Sequence, residues 1–127
     1  MGCSGRSERI RQAHLKTPIL APRVLFRTGT YPDPNTFNSD FASLSPALIE
    51  WLASEGVRMV GIDTPSIDPA ESKDLPSHAM VAAHNLAILE GIVLESVADG
   101  VYTLVALPLR IVGADASPVR AILVDQA

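Results

Sequence analysis

The segment SPALIEWLASEGVRMVGI at residues 45–62 constrains the fold more than any other. Ser45 offers a side-chain oxygen to the unpaired amides of a helix start, and Pro46 fits the first helical position, where a missing N–H costs nothing. Leu48, Ile49 and Leu52 then form one apolar face, while Glu50 and Glu55 look outward. Gly56 suits the left-handed stop. VRMVGI at 57–62 follows as a strand bounded by Asp63-Thr64-Pro65. A helix, a glycine and an uninterrupted apolar strand predict an α/β unit with a buried strand.

The rest of the chain is punctuated in the same way. Val24-Leu25-Phe26 is a compact β-prone run, closed by Gly29 and the turn-forming YPDPN at 31–35. Residues 63–77 carry three prolines and four acidic residues, which predicts a loop; one of this length without regular structure is often functional. Ser77 is placed to cap a short helix reaching about Asn85. LAILEGIVL at 86–94 fits strand or helix by periodicity, and Gly91 with the branched residues favours strand. After a turn near Asp99-Gly100, VYTLVALPL and the later VRAILV predict two further strands. Residues 1–21 are a polar leader broken by Pro18, either poorly ordered or holding a short helix from Ser7 to Leu15. No repeat or second-domain boundary interrupts residues 22–127, which predicts a single domain there.

Composition narrows the function classes. With 127 residues, 47% of them hydrophobic and 19% charged, the chain can bury a core and is globular rather than disordered. The net charge is −4, and Arg6, Arg9, Arg11 and Lys16 crowd the leader without a basic stripe interleaved with aromatics, which argues against nucleic-acid binding. No apolar run approaches the roughly 20 residues of a membrane span, and MGCSGRSERIRQ lacks the apolar core of a signal peptide. Arg6 stands where a myristoylation signal needs Ser or Thr. Cys3 is the single cysteine, so no internal disulfide forms and a reducing, cytoplasmic setting is expected; near the terminus it is more spectator than reactive thiol.

The chemistry is concentrated in SHAMVAAHNLAILEG, where twelve residues separate His78 from Glu90. In so apolar a segment an imidazole and a carboxylate must find partners or lose their charge. A metal ion satisfies both, since zinc accepts imidazole nitrogen and carboxylate oxygen; ordinary structural packing satisfies them too. Two ligands fall short of the roughly three that a catalytic zinc takes. His84 lies six residues from each, on a different helical face from His78, and reads as packed or half-exposed; His14 reads as solvated. In GIDTPSID at 61–68, Asp63, Ser66 and Asp68 either present chemistry at a strand end or build the turn by bonding its backbone. Asp115 and Ser117 in GADASPVRA pose the same choice, and Arg120 either binds a carboxylate or pairs with a surface acid. No HExxH, CxxC, GxSxG or phosphate-loop pattern occurs.

The order of these pieces carries a resemblance. PRVLFRTGT, NSDFASLSPALIEWLASEGVRMVGIDTPSIDP, the His78/Glu90 segment and LVALPLRIVGADASPVRAIL together resemble the bacterial kynurenine formamidases, metal-dependent hydrolases of the cyclase-like superfamily, over roughly residues 22–124. The resemblance implies an α/β domain of the cyclase-like, swivelling β/β/α type. It also implies hydrolysis of N-formyl-L-kynurenine to L-kynurenine and formate in tryptophan breakdown, a homodimer, and two metal ions, usually zinc. In that pattern His78 corresponds to a metal ligand and Glu90 to the carboxylate bridging the two ions; such a centre supplies Lewis acidity and activates water.

The family's remaining ligands and its acid/base histidine come from an early HxGTHxDxP motif, which is not found here, where the histidines are 14, 78 and 84. The expectation is therefore a C-terminal portion of such a domain, with no catalytic residue assigned, through truncation, a misplaced start codon or gene loss. The alternatives are a non-catalytic remnant serving in binding or assembly, and a related hydrolase of another small amide or cyclic imide.

Overall fold

The β-prone runs and the capped helix assemble in a computed structural model, in which residues 8–126 are described; Cys3, Arg6 and Ser7 lie outside them. In chain order the elements are β1 (Arg9–Ile10), a 3₁₀ turn (Gln12–His14), β2 (Arg23–Phe26), β3 (Ser43–Leu44), α1 (Pro46–Ser54), β4 (Met59–Ile62), α2 (Pro76–Ala83), β5 (Ala87–Leu89), β6 (Tyr102–Ala106) and β7 (Ala121–Asp125).

Helix α1 follows its sequence signals. Ser45 Oγ accepts from the Leu48 amide at 3.1 Å, Pro46 opens the helix, and Gly56 just past its end takes φ +85°. Its buried face is Leu48, Ile49 and Leu52. The helix returns the chain so that β2 and β4 lie parallel, with Val24 opposite Val60 and Phe26 opposite Ile62. The connection through α2 sets β5 parallel to β4, with Gly61 opposite Leu89, giving the strand order β2-β4-β5. Central strand β4 is buried from Val60 to Ile62, as a strand covered on both faces should be. At Gly61 the sheet packs closely, so that any Cβ there would need the end of the Leu25 side chain to shift. Phe26, Leu44, Leu48, Ile49, Leu52, Val60, Ile62 and Ile67 form the fully buried heart of this α/β core.

The leader differs from expectation. Where a helix from Ser7 to Leu15 was one option, Arg9 and Ile10 pair in parallel with Ser43 and Leu44, and only Gln12–His14 turn helically. The reason is burial: Ile10 is 3% exposed and belongs to the core, so extended backbone here gains a ladder and an apolar contact together. Ser45 N donates to Ile10 O at 2.9 Å and Leu44 N to Ile67 O at 2.9 Å, which ties the leader, β3 and the loop after β4 into one unit.

Strands β6 and β7 form an antiparallel hairpin of their own, with Leu104 opposite Leu123. One face carries the half-buried Leu104 and Leu123; the other exposes Val105, Ile122 and Val124, and the connecting loop exposes Leu107, Leu109 and Val112. An apolar surface of this kind favours association. The chain is expected to elute with an apparent mass that rises with concentration, and V105K/V124E to suppress that rise, by size-exclusion chromatography with light scattering. A sharp monomer at all concentrations would contradict this. Among the described residues no helix is long and apolar enough to cross a membrane.

Candidate functional site

Parallel strands point their carboxyl ends the same way, and in open α/β sheets that edge gathers the chemistry. Here β2 runs into Arg27 and Thr28, β4 into Asp63, and β5 into Glu90. Asp63 ties the first two ends together: its carboxylate accepts from the Thr28 amide at 3.0 Å, the Thr28 hydroxyl at 2.7 Å and the Gly29 amide at 3.0 Å. These bonds suit the turn-building alternative for Asp63. Ser66 likewise bonds within the loop, its Oγ accepting from the Asp68 amide at 3.0 Å.

The same loop reaches the end of β5. Gly91 N donates to Thr64 O at 2.8 Å, and Ile67 N donates to Glu90 Oε2 at 2.8 Å, which aims the Glu90 carboxylate across the loop toward α2. His78 stands in the first turn of α2 and meets it, with Nε2 3.2 Å from Glu90 Oε2. The two side chains that the sequence singled out therefore converge.

Behind His78 lies Asp68, fully buried. Its Oδ2 is 2.7 Å from His78 Nδ1 and accepts from the His78 amide at 3.0 Å; its Oδ1 accepts from the Ser77 amide at 3.0 Å and from Arg9 Nη2 at 3.0 Å. Asp68 thus caps α2 from eight residues before its start, and the expected cap by Ser77 is corrected. Leu75 is the N-cap residue, with φ +47° and no side-chain cap bond. Ser77 turns inward, donating to Leu44 O at 2.6 Å and accepting from Arg9 Nη1 at 3.0 Å. Burial alone would raise the Asp68 carboxyl, but the bonds from His78, Ser77 and Arg9 outweigh it and hold it below the usual carboxylate range.

Donor logic fixes what belongs between His78 and Glu90. Asp68 accepts only, so His78 Nδ1 carries a proton toward it, and in the neutral ring Nε2 is then a bare lone pair facing a carboxylate oxygen. Two acceptors at 3.2 Å need a positive group between them, either a proton on Nε2 or a cation. The donor set suits a metal: imidazole nitrogen and carboxylate oxygen bound about 2.0–2.1 Å from one tetrahedral ion stand about 3.3 Å apart. A histidine ligand also commonly gives its other N–H to a carboxylate, the place Asp68 fills. Among the described residues no group of three His, Cys, Asp or Glu side chains is arranged to hold an ion.

Residues 8–69 match a family described as "Cyclase: Putative cyclase". Two solved structures share the fold. One is described as a potential metal-dependent hydrolase with cyclase activity: TM-score 0.82, 30% identity, covering 98% of this chain and 63% of that one. The other, a predicted metal-dependent hydrolase from Bacillus stearothermophilus, has TM-score 0.70 and 34% identity, covering 78% of this chain and 47% of that one. The chain spans less than two thirds of either, and its α/β architecture is cyclase-like.

The remaining candidates lie elsewhere. Asp115 is exposed in the β6–β7 connection, where Ser117 Oγ accepts from Leu109 N at 3.0 Å; neither bonds to the His78–Glu90 pair, and Arg120 is exposed. His84 is exposed at the end of α2. His14 is not simply solvated: its Nδ1 accepts from Arg11 N at 2.9 Å and its Nε2 lies 3.1 Å from Glu8. An apolar groove lined by Leu20, Leu94, Val101, Leu104 and Leu123 runs between the leader and the hairpin and includes none of the site residues. Sequence reasoning saw Arg9 only as leader charge and left Asp68 between a strand-end role and a turn role, without linking either residue to His78. The available signal was an acid and a base-bearing helix start ten residues apart around a proline-rich loop.

Proposed function

We propose that this chain is part of a cyclase-like metal-dependent hydrolase in which His78 and Glu90 each give one ligand to an active-site metal, with zinc suited to both donors. The observation that carries the proposal is the 3.2 Å approach of His78 Nε2 to Glu90 Oε2 with Asp68 bonded behind the imidazole. The family match and the hydrolase descriptions of the two similar structures support it. A bound ion would supply Lewis acidity and lower the pKa of water toward neutrality. Glu90 holds its carboxylate in place through Ile67 N, and His78 keeps its ring on the helix start through Asp68, so both donors are oriented before any ion arrives.

Resemblance to kynurenine formamidases in PRVLFRTGT, GIDTPSIDP and LPLRIVGADASPVRA points to N-formyl-L-kynurenine as the amide opened, in a cytoplasmic homodimer. A sister hydrolase of another small amide fits the same residues. The exposed face of the β6–β7 hairpin favours, as a second reading, an assembly role for the same fold.

Two ligands among the described residues, against the roughly three of a catalytic zinc, predict affinity weaker than micromolar and little turnover by the chain alone. Zinc titration by isothermal calorimetry, together with formate release from N-formyl-L-kynurenine, tests both statements. H78A is expected to abolish the zinc response. Zinc binding unchanged in H78A would remove the proposal, and micromolar binding with repeated turnovers would show the site to be more complete than argued.

A further inference from the structure

Asp68 does more than an N-cap requires. A cap needs one oxygen on one or two amides, whereas this carboxylate also takes the His78 ring N–H on Oδ2 and the Arg9 guanidinium on Oδ1. Arg9 is fixed in turn by Leu44 O at 2.7 Å and Ser77 Oγ at 3.0 Å, so the carboxylate cannot rotate without breaking a charged contact. We propose that Asp68, anchored by Arg9, is a positioning residue that fixes the His78 tautomer, keeping the proton on Nδ1 and directing the Nε2 lone pair at the point shared with Glu90. The inference builds on the ligand role proposed for His78. It adds that the leader strand β1 takes part in the site through a side chain 69 residues away in sequence.

Asparagine at this position separates the two roles. An amide has one acceptor oxygen and one NH₂. The Arg9 cation and the Ser77 amide select the oxygen for their side, which turns the NH₂ toward the His78 ring at the cost of the bond from the His78 amide. Nδ1 must then accept, the proton moves to Nε2, and the lone pair aimed at Glu90 is lost; an aspartate-to-asparagine change behind a catalytic histidine acts in this way.

The experiment is nitrogen-detected NMR of the His78 imidazole, in metal-free and zinc-loaded chain, for wild type, D68N and S77A. The expected result is a proton on Nδ1 in wild type, its transfer to Nε2 in D68N, and a zinc affinity lower by about 10- to 100-fold in that variant. S77A, which loses contacts to Leu44 and Arg9 but keeps the carboxylate, is expected to lose stability while keeping the Nδ1 proton and the affinity. A bare Nδ1 in wild type overturns the inference even if D68N does not fold. So does a D68N ring with its proton still on Nδ1 and affinity unchanged, or an S77A ring altered as far as that of D68N. The ligand role is read separately by calorimetric zinc titration of H78A: if that variant still binds zinc as wild type does, the ligand role fails while the tautomer result stands.

Discussion

Replacing Asp68 with alanine is expected to cost about 3–5 kcal/mol of folding stability, the range for breaking a buried charge pair from one side. The estimate follows from what would be left behind. The Arg9 side chain, 29% exposed, would face Leu44 and Ser77 with no counter-charge, while the Ser77 and His78 amides would lose their acceptor. A lost cap alone costs about 1 kcal/mol and a lost bond to a charged group about 1.5–3 kcal/mol. The partial exposure of Arg9 lets water recover some of this, which favours the lower end of the range. By contrast the Arg27–Asp99 pair, at 3.4 Å with both side chains open to solvent, is worth about 0–1 kcal/mol. Urea unfolding of D68A checks the estimate, and a loss under about 1 kcal/mol would contradict it. The pH dependence has a defined sign. Because the folded Asp68 carboxyl titrates below its unfolded value of about 3.9, its stabilisation is full above that pH and fades as pH falls through the folded value. D68A should therefore lose less stability than wild type over that acid window.

Local signals were readable in this sequence and non-local ones were not. Helix α1 was legible because Ser45, Pro46 and Gly56 act on their own backbone within a few residues, and the structure repeats each role. β4 was legible as a strand because a buried parallel strand is apolar at every position, whereas the strand expected over 86–94 shrinks to the edge strand Ala87–Leu89, in which only Leu89 is buried. The apolar segment around His78 and Glu90 marked two side chains that approach each other, since an imidazole and a carboxylate in apolar surroundings demand a partner. Asp68 shows where such reading stops. An aspartate before proline has a sufficient local explanation as a turn residue, and nothing nearby reveals that its charge partner is Arg9, 59 positions earlier. Ser77 misled for the same reason: a serine beside a helix start invites a cap, yet its hydroxyl is spent on Leu44 O, 33 positions away. Strand β1, two residues long, has no periodicity to detect; only its pairing with Ser43 and Leu44 makes it a strand.

Phe26→Ala is expected to remove about 3–5 kcal/mol, the cost of a large cavity in a close-packed interior. Phe26 is 0% exposed, sits opposite Ile62 in the sheet, and packs in the cluster that includes Leu44, Leu48 and Ile49. Stability of about 0.05–0.15 kcal/mol per residue sets the scale against which this loss is felt. Among the described residues the buried core stops at Leu94, so β6 and β7 add little to it and the chain belongs near the lower end of that scale. A drop in Tm of about 12–20 °C should follow, at about 4 °C per kcal/mol for a domain of this size. Thermal unfolding by circular dichroism checks it, with F26L losing much less than F26A because leucine refills most of the cavity, and a shift under about 3 °C in F26A would contradict the argument. The effect should reach the site, because β2 hands the chain directly to Thr28, whose amide and hydroxyl hold Asp63 at the end of β4. Loosening β2 frees that end, and with it the loop whose Ile67 amide orients Glu90 toward His78. Near its lowered midpoint F26A should therefore lose the zinc response of the His78 ring together with its helical signal, in one transition.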